Sequence, residues 1–216
     1  MAKSEVPDAL WPSDNQLGIP SLLLSMQADA VDLPVVVWGS VSRNTRMSGT
    51  WAFYTDDYRF EHLWTDPSLI IKTGCVNAIE PNYSIYNQTP PAVATWQIYR
   101  KRWMARYWQS KGLRIFVDLN VNRAFAEDNL QGVPAGWSAF ASRGYNERVN
   151  DLAFELSLAQ GVAGKKDGLL FVVYGGGSIV KSFCMDNGLV HIPEQQDGHK
   201  IRKSKTIQTG FMFKEM

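Results

Sequence analysis

From about residue 50 to residue 195 the chain alternates short apolar runs with helix-forming stretches, and this alternation limits its fold more than any other feature. The runs are "TWAFYTDD" (50–57), "CVNAIEPNYS" (75–84), "LRIFVDLNVN" (113–122), "WSAFASRGYN" (137–146), "GLLFVVYGGG" (168–177) and "LVHIPEQ" (189–195). A further run, "LPVVVWGS" (33–40), precedes them. Helices are predicted between them over 58–74, 89–112, 147–164 and 178–188, with a loop over 125–136. Strands alternating with helices are joined by crossovers and so run parallel. The runs are continuously apolar rather than alternating, as strands covered on both faces are. The expected class is α/β: a small or incomplete (β/α) barrel-like fold with mostly parallel strands. The alternative is an open doubly wound α/β sheet. Almost every run ends on a polar residue, as a barrel mouth requires, and this favours the first.

The flanks divide the chain further. Residues 1–34 read as an N-terminal arm packed on the body, 35–195 as a single domain, and 196–216 as a basic C-terminal tail. In the helix over 89–112, Thr89 can cap the start, Pro90 suits the first helical position and Gly112 can close the end. Trp96, Tyr99, Trp103 and Tyr107 fall on one stripe of it. The helix over 58–74 is interrupted at Asp66-Pro67 and ends at Gly74. In the helix over 147–164, Val149, Leu152, Ala153 and Leu156 share a face.

Composition removes several function classes. The formal charge is +1, so any nucleic-acid surface must be a local patch. Three histidines (His62, His191, His199) and two cysteines without CxxC spacing argue against zinc. Cys75 and Cys184 read as buried free thiols of a reducing compartment. No apolar run reaches the ~18 residues of a membrane span, and the start lacks a signal-peptide pattern, so a cytoplasmic protein is expected.

In either α/β arrangement ligands bind beyond the carboxyl ends of the strands. Those ends carry Asp56, Glu80, Asp118, Arg143 and His191, the candidate catalytic residues. Crowded carboxylates split their pKa values and can divide acid and base roles. They could also hold magnesium through one or two carboxylates plus substrate oxygens. Glu80, which leaves an acidic side chain at the end of "AIEP", leads this set, and Asp118 in "IFVDLN" follows. Gly175, Gly176, Gly177 and Ser178 do not form a P-loop or GxGxxG pattern. They offer a backbone that can approach a phosphate at a helix start, or simply a tight turn. Two basic clusters could grip a nucleic-acid backbone: Arg100, Lys101, Arg102 and Arg106 among aromatics, and Lys200, Arg202, Lys203 and Lys205 in the tail. The plainer reading of the first is an aromatic core stripe with solvated arginines.

The segments "FYTDDYRFEHLWTDP" and "CVNAIEPNYSIYNQTPPAVATWQIYRKRWMARYWQSKGLRIFVDLNVN" resemble the DUF4417 family of uncharacterised bacterial, phage and mobile-element proteins. "VVYGGG" resembles that family's glycine-bearing strand end. The resemblance covers roughly residues 50 to 195 and implies a phage or mobile-element setting, with Glu80, Tyr83, Ser84 and the Trp/Arg helix in one recurring unit.

The expected function is engagement of a nucleotide or nucleic acid. One form is an enzyme on a phosphate-bearing substrate, with Glu80 or Asp118 as base or metal contact, Arg143 as anion clamp and His191 as proton carrier. The alternatives are a non-catalytic DNA-binding replication factor and a structural or host-interaction protein.

Overall fold

The computed structural model describes residues 10–40, 46–164 and 168–194, and the backbone of 206–208. Seven strands form one parallel sheet: β2 (Val35–Val37), β3 (Thr50–Ala52), β4 (Asn77–Ile79), β5 (Arg114–Asp118), β6 (Ala139–Arg143), β7 (Leu170–Tyr174) and β8 (Val190–Ile192). Their spatial order follows their order in the chain. A doubly wound sheet reverses direction at a switch point, so sequential order selects the barrel arrangement. The sheet curls into a nearly closed barrel whose two edges are β2 and β8.

Register assigns the two faces. Trp51 lies level with Ala78, Ala78 with Ile115, Val117 with Phe140, and Phe140 with Phe171. This face packs outward under the helices, where Phe53 stacks on Trp108 with ring centroids 5.6 Å apart. The other face carries Ile79, Phe116, Asp118, Ala141, Arg143 and Tyr174, which point inward. Tyr54, just beyond β3, stacks on Tyr174 of β7 at 5.7 Å, a contact that only a strongly curved sheet allows.

The helices are α1 (His62–Thr65), α2 (Pro91–Ser110), α3 (Val149–Ala163) and α4 (Ser178–Asp186). The predicted helix over 58–74 survives only as α1, flanked by 3-10 turns at Asp57–Arg59, Pro67–Leu69 and Ile71–Thr73. Asp66 breaks it, since its carboxylate accepts from both the backbone and the hydroxyl of Ser68 ahead of Pro67. In α2 the start moves one residue: Pro90 takes the cap position and Pro91 the first turn. Thr89 instead accepts from the Tyr86 amide at 2.8 Å. In α3 the buried face is Leu152, Glu155, Leu156, Ala159 and Ala163, while Ala153 is exposed.

The arm contributes β1 (Ala30–Asp32), which pairs antiparallel with the backbone of β9 (Thr206–Gln208), a strand absent from the sequence expectation. It also closes the amino end of the barrel. Asn77, fully buried, donates to Ala30 O at 3.0 Å and Asp32 Oδ2 at 2.9 Å. Cys75 and Cys184 are buried free thiols. Among the described residues no helix is long and apolar enough to cross a membrane.

Candidate functional site

The carboxyl ends of β3 to β6 surround a cavity of about 720 Å³. Its floor and one wall are amides and hydroxyls: Tyr54, Asn82, Ser84, Asn120 and Asn122. A charged wall is formed by Arg123, Arg143, Tyr145, Arg148 and Asp151, and the exposed Asp56 also lines the cavity.

Asp118 anchors the floor. It closes β5 and is fully buried just beneath the cavity. Oδ1 accepts from Tyr54 OH at 3.1 Å and from the Asn120 amide at 3.3 Å. Oδ2 accepts from Asn82 Nδ2 at 3.0 Å and Lys101 Nζ at 3.3 Å. With four donors on its two oxygens, Asp118 positions the floor and has no lone pair to spare for a metal. Among the described residues no group of three or more His, Cys, Asp or Glu is placed to hold a metal. Asn82 Nδ2 donates also to Asn120 O at 2.8 Å, and Asn82 Oδ1 accepts from Asn120 Nδ2 at 3.1 Å. Burial, with the Asp118 charge second, holds the Tyr54 phenol well above its ordinary pKa, so Tyr54 keeps its proton as a donor.

Glu80 takes a different place. It follows β4 one residue out of phase with Asp118 and faces the helices. Its carboxylate pairs with Arg102 Nη1 of α2, lies 4.0 Å from Lys101 Nζ, and accepts the Asp118 amide at 3.2 Å. Arg102 donates further to Gln131 O and Asn129 O at 3.1 and 2.6 Å. Burial pushes the Glu80 carboxyl up and the Arg102 guanidinium down, and each charge pulls the other back. Glu80 is fully buried away from the cavity lining.

The remaining candidates separate cleanly. Arg143 lines the cavity, lies over the rings of Tyr145 and Tyr174 at 5.3 and 5.2 Å, and pairs with Glu194. Asp56 is exposed, 3.8 Å from Arg59. His191 turns the other way, its Nε2 3.0 Å from Gly175 O, and lies outside the lining. The glycine run is also outside it. Gly175 and Gly176 hold φ of +79° and +80°, a conformation that favours glycine. Asn146 Oδ1 already accepts from Gly177 N at 3.0 Å and Val180 N at 3.4 Å, capping the start of α4, and Ser178 is exposed at its first turn.

In α2, Arg100, Lys101 and Arg102 are 8%, 1% and 0% exposed and pair with Glu61, Asp118 and Glu80, so they present nothing to a nucleic-acid backbone. Arg106 is half-buried against the Trp11 ring at 4.6 Å. Lys200, Arg202, Lys203 and Lys205 lie outside the described residues.

Several site residues carry no sequence signal. Tyr54, Arg123, Arg148 and Asp151 reach the mouth only through the curl of the sheet. Arg123 and Arg148 share Asp151, at 2.8 and 2.7 Å, and these two guanidiniums draw its carboxyl below the usual range against the opposing effect of burial. Glu155, one turn after Asp151, is 4% exposed. Burial pushes its carboxyl up to about 8, so it is protonated at neutral pH.

The fold and cavity define a class: a parallel α/β barrel with a polar, arginine-walled cavity at its carboxyl mouth. The chain belongs to the family described as "Domain of unknown function (DUF4417)", whose profile matches residues 11–192. It is similar to the "Gene 1 protein" of Mycobacterium phage D29, 31% identical over 150 residues, which is 68% of this chain and 54% of that protein. It is also similar to the "Gene 1 protein" of Mycobacterium phage L5, 37% identical over 71 residues, covering 31% of this chain and 30% of that one. The chain therefore spans about half or less of the length of these relatives. No solved structure matches it.

Proposed function

We propose that this is a phage-type protein whose cavity binds a phosphate-bearing ligand of nucleotide size, free or as one unit of a nucleic-acid strand. The observation that carries the reading is the arginine wall. Arg123, Arg143 and Arg148 line the cavity against only two carboxylates in the same lining, Asp56 and Asp151. Arg123 and Arg148 share a single Asp151, which leaves one positive charge in excess. Arg143 is matched by Glu194, but that carboxylate is about half exposed and so partly screened by water. An incoming phosphate can therefore replace it with a bidentate contact. The volume is that of a small-molecule site, and the facing amides and tyrosines supply hydrogen bonds and stacking surface. The phage relatives supply the setting. We assign binding, not a reaction, to this cavity, because Asp118 is saturated by donors and Glu80 is sealed behind α2.

The test is titration calorimetry with nucleoside monophosphates and, in parallel, anisotropy of a labelled single-stranded oligonucleotide. Arg143→Ala and Arg148→Ala should each weaken binding about tenfold or more, the loss of one charge-assisted contact. Unchanged affinity in both variants sinks the reading. Preference for the oligonucleotide, with a steep salt dependence, would place the nucleotide within a strand.

A further inference from the structure

Asn120 differs from the other amides of the cavity floor in what it leaves free. Both N–H groups of Asn82 are taken, by Asp118 Oδ2 and Asn120 O. Asn122 Oδ1 accepts the Ala124 amide at 3.0 Å and serves as a turn cap. Asn120 gives one N–H to Asn82 Oδ1 at 3.1 Å, and this bond fixes which way its amide points. Among the described residues its second N–H and its Oδ1 have no partner, and the side chain lines the cavity.

The orientation is built in from below. Asp118 holds Asn82, Asn82 holds Asn120, and Lys101 Nζ, bonded to Asp118 O at 2.9 Å and to Oδ2, pins the anchor. Lys101 and Asp118 are 1% and 0% exposed, so this support is rigid. Asn120 therefore offers a preorganised acceptor beside a donor. That pair matches a nucleobase edge carrying a donor next to a ring acceptor, such as the exocyclic amine and ring nitrogen of adenine. The site for the other end of such a ligand lies alongside. Asn120, two residues past the end of β5, lines the same cavity as Arg143, the last residue of the neighbouring strand β6.

We infer that Asn120 reads the base edge of the ligand, with adenine as the matching base, while the arginine wall takes the phosphate. This rests on the cavity being the phosphate-bearing site proposed above.

The experiment compares adenosine monophosphate with ribose 5-phosphate, which keeps the phosphate and lacks the base, by calorimetry on the full chain. The unaltered protein should bind the nucleotide about tenfold or more tighter than the sugar phosphate, as one bidentate contact to a base supplies. Asn120→Ala should remove that advantage and leave ribose 5-phosphate affinity unchanged. Asn120→Leu, which keeps the approximate shape and deletes donor and acceptor without adding charge, should behave alike. Circular dichroism and the retained sugar-phosphate binding report that the variants are folded. Equal affinity for the two ligands in the unaltered protein, or an advantage that survives Asn120→Ala, overturns the inference while the arginine wall stands. Binding of neither ligand, nor of the labelled oligonucleotide, overturns both.

Discussion

Glu80 follows β4 and Asp118 closes the neighbouring β5, yet their carboxylates serve opposite faces of the sheet. Glu80 turns outward to Arg102 of α2, while Asp118 turns inward beneath the cavity to Tyr54 and Asn82. The Asp118 amide donates to Glu80 Oε2 at 3.2 Å, and Lys101 Nζ stands between the two carboxylates, 3.3 Å from Asp118 Oδ2 and 4.0 Å from Glu80 Oε2. The first is a structural ion pair and the second organises the site.

This division predicts how the two residues fail. Glu80→Gln leaves the fully buried Arg102 without its countercharge and should cost about 3–5 kcal/mol in a urea melt. The double variant Glu80→Gln, Arg102→Met removes both charges and should recover a large part of that loss. Nucleotide affinity should survive in whatever folds, because Glu80 lies outside the cavity lining. A Glu80→Gln protein as stable as the parent would contradict the assignment.

Glu155 should make stability fall with rising pH. Its carboxyl ionises at about 4.5 in the unfolded chain but at about 8 when folded, because burial penalises the charge. Below the first value both states are protonated and no penalty arises. Between the two, the folded state must hold a proton that the unfolded state releases, at a cost of about 1.4 kcal/mol per pH unit. Above about 8 the penalty is constant. Glu155→Gln carries no such proton, so its denaturation midpoint should exceed the parent's at pH 7.5 and approach it at pH 4.5. Parallel curves across that range would refute the buried neutral acid.

Gly175 should prove sensitive for two separable reasons. Its φ of +79° costs a side chain about 1–2 kcal/mol, and a Cβ there would collide with the Arg143 guanidinium and approach Glu194. Gly188 has a φ of +67° with nothing within 4 Å of the added atom. Gly188→Ala should therefore show the backbone cost alone, whereas Gly175→Ala should add a loss of phosphate affinity through displaced Arg143. Equal binding by the two variants would separate the glycine run from the cavity altogether.

Both thiols should be silent in the native protein. Burial pushes Cys75 and Cys184 up to about 11, leaving almost no thiolate at pH 8. A chromogenic disulfide reagent should titrate neither until denaturant is added, and both afterwards. Rapid reaction of either one in native buffer would count against its burial.

The alternation of apolar runs with helices, and the polar residue ending most runs, already determined a parallel α/β body with polar residues gathered at the carboxyl ends of the strands. The glycines after β7 already marked a tight turn. Both follow from local physics: chain period, turn geometry and the need to cross over between parallel strands. Tertiary structure decided the rest. Sequential strand order, not visible in any one run, chose a barrel over an open sheet. The side-chain period in a strand is two, so a displacement of one residue sends a carboxylate to the other face; this placed Glu80 behind the sheet and Asp118 under the cavity. Arg100, Lys101 and Arg102 read as a surface patch because their partners, Glu61, Asp118 and Glu80, are distant in the chain, and only folding brings a countercharge to each. For the same reason Arg148 and Asp151 of the α3 segment, unremarkable in sequence, became part of the cavity wall.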